Sequence, residues 1–134
     1  AGFGVELAGD LTPGAMTVAF VGSDNFVTNR PEVAQRFALA LMQAARLMQG
    51  DDFLSQENID SYLTYVSSTP EAVAGDALLV FDPNQEIPVQ DLADVERTHR
   101  ENGRTEYTEE LDLSNAVNSS FTEWALEVLG PYQE

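Results

Sequence analysis

A chain of 134 residues makes about one domain, long enough to bury a core without disulfide or metal staples. Apolar content of 43% and aromatic content of 9% are ordinary for a globular protein, whereas 23 acidic residues against six arginines and no lysine leave a net charge of −17. Such a surface repels phosphate backbones and anionic bilayers, which disfavours nucleic-acid and membrane-surface partners. The absence of cysteine rules out disulfides, thiolate metal sites and cysteine nucleophiles.

No apolar run approaches the length of a membrane span, so direct membrane insertion is not expected of this segment. Phe3-Gly4-Val5-Glu6-Leu7 alternates with period two and reads as a first strand over 3–7; Thr12-Pro13-Gly14 marks the turn after it. Thr17-Val18-Ala19-Phe20-Val21 is a β-branched and aromatic run that predicts a buried strand over 17–21, ending at Gly22-Ser23-Asp24-Asn25. A long helix is predicted over 31–49. Pro31 suits its first turn, Asn29 and Glu32 have capping-box spacing, and Gly50 supplies the stop. Val33, Phe37, Leu41, Ala44 and Met48 form the expected buried face, with Gln35, Arg36, Gln43, Arg46 and Gln49 mainly on another.

Ser55 is expected to cap a second helix over 55–66, which buries Ile59, Tyr62, Leu63 and Val66. Thr69-Pro70 opens a short third helix over 70–75. Ala77 to Phe81 is apolar but too short to classify, and Asp82-Pro83-Asn84 is a turn. A fourth helix is expected over 89–102, with Leu92, Val95 and His99 as its apolar stripe and Gly103 just past its end. The last, over 114–129, is capped by Asp112 or Ser114 and buries Val117, Phe121, Ala125, Val128 and Leu129. Residues 1–134 read as a single unit. Two short strands cannot cover five helices, and a strand with successive apolar residues belongs to a sheet buried on both faces. The pattern therefore predicts a helix-rich portion of a larger α/β structure.

Among candidate sites, the single histidine, His99, lies on the apolar stripe and reads as a structural residue; with no second histidine, no zinc site assembles. No serine sits in a nucleophile elbow. The segment from Asp82 lacks the glycine and terminal glutamate of a calcium loop, having Ile87 and Ala93 there. Neither catalytic residues, nor a metal, nor a cofactor is expected. Ser23, Asp24 and Asn25 form the most suggestive polar cluster. Placed after a buried strand, hydroxyl, carboxylate and amide would orient a small polar solute, with Phe20 or Phe26 stacked on it. The competing reading is an ordinary turn leading into a helix.

The string VAFVGSDNFVTNRPEVAQRFALALMQAARLMQG resembles a segment of the solute-binding proteins of ABC importers, in the nitrate/sulfonate/taurine and thiamine-precursor group. In those proteins a strand ending in polar residues leads to an N-x-P-E-x-x-x-R-F opening of a long alanine-rich helix. Asn29, Pro31, Glu32, Val33, Arg36, Phe37 and Ala40 stand in those places. A second block, FDPNQEIPVQDLADVERTHRENG followed by LDLSNAVNSSFTEWALEVLG, resembles the C-terminal end of such proteins. Its matches are Asp82, Pro83, Asn84, Ile87, Leu92, Val95, Gly103, Leu113, Phe121, Ala125, Leu129 and Gly130.

The resemblance implies the helix-rich C-terminal portion of a two-lobed periplasmic-binding-protein (type II-like) fold. It implies a periplasmic or extracellular place, with lipid anchorage through a segment outside these residues. The function implied is non-catalytic: capture of a small polar solute of the sulfonate, nitrate, amine or pyrimidine class, and delivery to the membrane permease. Arg30 is the only base near the elbow, so an anionic solute gains no cluster there, and Asp24 equally suits an amine or aminopyrimidine. The alternative expectation is an acidic helical interaction domain that docks a cationic partner.

Overall fold

The computed structural model describes residues 16, 18–75 and 80–133. They divide into two compact clusters. One holds Gly22–Glu86 and the chain from Asn118; the other holds Ile87–Val117 with the described residues before Gly22.

In the first cluster, Ser23 caps a one-and-a-half-turn helix, α1 (Asp24–Asn29). α2 (Pro31–Leu47) follows after a single residue, Arg30, whose φ of −136° and ψ of 49° lie outside the helical region. The break has a steric origin: a residue before proline is pushed out of the α conformation, and Pro31 has no N–H to continue the ladder. Asn29 therefore closes α1, its side chain bonded to Asn25, and does not form the expected capping box with Glu32. Alanine, leucine, glutamine and arginine, all strong helix formers, then carry α2 for 17 residues. Gly50 has a φ of +51° and starts a 3₁₀ turn, Gly50–Leu54. α3 (Gln56–Tyr65) is capped by Ser55, whose Oγ accepts from the Asn58 N–H. Asn58 in turn donates to the carbonyls of Leu47 (2.9 Å) and Asp52 (2.7 Å), fixing the end of α2. α4 (Pro70–Gly75) is capped by the Thr69 hydroxyl, which accepts from Ala72 at 3.2 Å.

α2 packs against α6 (Ser120–Leu129). Met42 and Ala125 are fully buried, with Ala34 and Ala45 nearly so, and these four make up the core among the described residues. Three alanines keep the two helices close, and the methionine fills the gap between them. The buried face of α2 thus runs through Ala34, Met42 and Ala45, one residue on from the predicted set. Val33 and Phe37 from that set are 52% and 47% exposed. Apolar residues line most of α2, so periodicity alone does not select the packed side. Likewise α6 begins six residues after the predicted 114, because Asp112 makes a local turn by accepting from the Ser114 N–H at 2.9 Å.

In the second cluster, α5 (Val89–Glu101) ends in a Schellman arrangement. The Arg104 N–H reaches the His99 carbonyl and the Gly103 N–H that of Arg100, with Gly103 at φ +64°. The half-buried side of α5 carries Leu92 with a Glu96–Arg100 ion pair at 2.9 Å, while His99 and Val95 are exposed. His99 is therefore a surface residue and not part of an apolar stripe. Asp91 accepts from the Met16 N–H at 2.8 Å.

The expected α/β architecture is overturned: the described residues form helices and no strand. Phe3–Leu7, Thr12–Gly14, Thr17 and most of Ala77–Phe81 lie outside the described residues. Val18 to Val21 do not form the expected buried strand. Val18 is 71% exposed, Phe20 62% and Val21 93%. An apolar run becomes a strand only where a neighbouring strand accepts its ladder hydrogen bonds, and none is present among the described residues.

Candidate functional site

The five residues singled out by sequence divide between the two clusters: Phe20 lies in one, and Ser23, Asp24, Asn25 and Phe26 in the other. The Ser23 Oγ accepts from the Phe26 N–H at 3.2 Å, and the Ser23 carbonyl accepts from Phe26 and Val27. The Asn25 carboxamide is bonded to Asn29 along the same face of α1. Asp24 occupies the first turn, where a carboxylate favours the helix N-terminus. Ser23, Asp24 and Asn25 are exposed, and Phe26 is half-buried. Gly22 lies close to the first turn of α1: a Cβ there would meet Val27 Cγ1 at 3.1 Å, so a side chain at this position needs Val27 to shift by a few tenths of an ångström. The cluster thus builds the start of a helix, and Asp24 is the member whose side chain takes no hydrogen bond within it.

A second constellation went unread in the sequence. Arg46, placed by periodicity on a polar face, is half-buried at the end of α2. Its Nε donates to the Pro83 carbonyl at 3.0 Å. Its Nη2 donates to the Gly130 carbonyl at 2.6 Å and to Asn84 Oδ1 at 3.3 Å. The guanidinium lies 5.9 Å from the Tyr132 ring centroid, within cation–π range. Asn84 Oδ1 also accepts from the Tyr132 N–H at 3.2 Å. Gly130, at φ +72°, ends α6, so the cation sits where the helix carries its partial negative charge. Gln49 extends the clamp by donating to the Phe81 carbonyl at 2.9 Å, and Phe81 stacks on Phe53 at 6.0 Å.

The Asp82-Pro83-Asn84 turn is as expected. Asp82 accepts from the backbone N–H groups of Asn84 and Glu86, each at 2.8 Å, and Gln85 takes a φ of +55°. This turn presents its oxygens to Arg46. The only linear hints were an arginine and a glutamine three residues apart at a helix end, and a turn rich in acceptors 37 residues later.

Beside the clamp runs an open groove lined by Asn84, Glu86, Glu123, Leu126, Glu127 and Pro131. It shares no residue with the five sequence candidates. Glu86, Glu123 and Glu127 border it with Leu126 and Pro131 between them, and Glu123 is already held by the Ser119 hydroxyl at 2.7 Å. Among the described residues no group of three or more His, Asp or Glu side chains converges as a metal would require. No described helix is long and apolar enough to cross a membrane. Comparison of the chain with family models, with curated proteins and with solved structures returns no match.

Proposed function

We propose that the chain serves in solute capture for an ABC importer, as a non-catalytic extracytoplasmic component that delivers a small polar solute to a membrane permease. One observation carries the reading: the two sequence blocks that resemble such proteins meet at Arg46. The first block supplies α2 and Arg46. The second supplies Pro83, Asn84 and Gly130, whose oxygens Arg46 holds, and Ala125, which is fully buried. In this reading the α2–α6 pair is scaffold. Asp24, exposed at the head of α1, is the candidate contact for an amine or aminopyrimidine.

A thermal-shift screen of the protein encoded by its complete reading frame, against sulfonates, nitrate, amines and pyrimidines, tests the proposal. One class should raise the melting temperature, since a ligand at a hundred times its Kd stabilises by about 2.7 kcal/mol. Asp24→Asn should reduce that shift for a cationic solute. No shift with any class would count against transport.

The strong negative charge favours a second reading, an acidic helical domain docking a cationic partner. Arg46, Arg97 and Arg100 are occupied within the chain, which leaves the carboxylates of Glu86 and Glu127 facing outward beside the groove. This reading predicts partner affinity that falls steeply with ionic strength.

A further inference from the structure

Asn118-Ser119-Ser120, at the entry to α6, belongs neither to the α2–α6 core nor to the Arg46 clamp. It has the Asn-x-Ser pattern of an N-linked glycosylation acceptor, with serine and not proline in the middle. No other asparagine of the chain has serine or threonine two residues on. So short a pattern carries weight only in the right surroundings. The acceptor needs a surface position, a side-chain nitrogen not engaged elsewhere, and a fold that tolerates a bulky substituent there.

Asn118 meets all three conditions. Residues 118, 119 and 120 are exposed. Asn118 Oδ1 accepts from the Ser120 N–H at 3.1 Å and from the Ser120 hydroxyl at 2.6 Å. A backbone N–H can only donate, so the amide atom facing it is the oxygen. Nδ2 is left over and takes no hydrogen bond among the described residues. Asn29, Asn58 and Asn102, by contrast, each spend Nδ2 on a neighbouring oxygen. A substituent on Nδ2 leaves both bonds to Oδ1 in place and the Ser119 hydroxyl on Glu123, so α6 starts unchanged.

We propose that Asn118 is an N-glycosylation site, an inference that rests on the extracytoplasmic placement proposed above. The donor is an oligosaccharide linked to a lipid pyrophosphate. Nδ2 attacks its anomeric carbon, and a C–N bond forms as the bond from that carbon to the pyrophosphate oxygen breaks. The lipid pyrophosphate leaves, and Nδ2 gives up one proton.

The test is mass spectrometry of the full-length protein isolated from its own cells after fractionation. The peptide that follows Arg104 should be heavier than its sequence by an oligosaccharide, carried on Asn118. Asn118→Gln and Ser120→Ala should each abolish the added mass, and Ser120→Thr should retain it. Ser120→Ala keeps the backbone N–H that bonds Asn118, so its loss of the glycan would not stem from a lost helix start. Protein recovered outside the cytoplasm with Asn118 bare would overturn the site and leave the transport reading standing. Protein confined to the cytoplasm with Asn118 bare would overturn both, and added mass that persists in Ser120→Ala would overturn the site.

Discussion

The hydroxyl of Ser23 is engaged before any ligand arrives, because it holds the Phe26 N–H at the start of α1. Replacing such a cap by alanine costs about 1 kcal/mol, whereas aspartate caps equally well. Urea denaturation should therefore find Ser23→Ala less stable by about that amount and Ser23→Asp within a few tenths. An unchanged midpoint for Ser23→Ala would mean that the cap contributes nothing. Asp112 offers a residue-scale test in pH. Hydrogen bonds from the Ser114 backbone and side chain hold its carboxyl below the ordinary aspartate range. The lowered folded-state value means that its contribution is complete above the ordinary aspartate pKa and is lost as pH falls through the folded one. Asp112→Asn should remove that part of the acid-side loss of stability, and identical pH profiles for the two proteins would contradict the assignment.

Between elements, the α2–α6 contact rests on one large side chain. Met42→Ala leaves a cavity facing Ala125 and should cost about 2–4 kcal/mol, against less than about 0.5 kcal/mol for the half-exposed Val33→Ala. Equal losses at the two positions would place the core on the wrong face. This scale also shows what was legible in the sequence. Pro31, Ser55, Thr69 with Pro70, and Gly103 each act through chemistry local to a few residues, and the helices they bound stand where their residues predict. The packed face of α2 was not legible, because its apolar residues cover more than one side and only the partner helix chooses among them. Nor was the start of α6, where Asp112 and Ser114 spend their capping chemistry on a turn.

For the whole molecule, what sequence conceals is what depends on distant residues. A run such as Val18–Val21 has strand character but needs a partner strand, and none stands among the described residues. The polar cluster at Ser23–Asn25 was legible as turn chemistry, and its role in starting α1 follows from bonds within six residues. Arg46 was illegible, since charged residues default to the surface and its acceptors lie 37 to 84 residues away. Yet Arg46 joins α2 to the Pro83–Asn84 turn, to the end of α6 and to Tyr132, and the functional proposal rests on that convergence. The most direct measurement compares the unfolding free energies of Arg46→Met and Arg36→Met, each keeping an apolar stem but losing the charge. The clamp predicts a loss of about 2–3 kcal/mol at Arg46, where carbonyls are left unpaired, and less than about 0.5 kcal/mol at exposed Arg36. Two small and equal losses would contradict it.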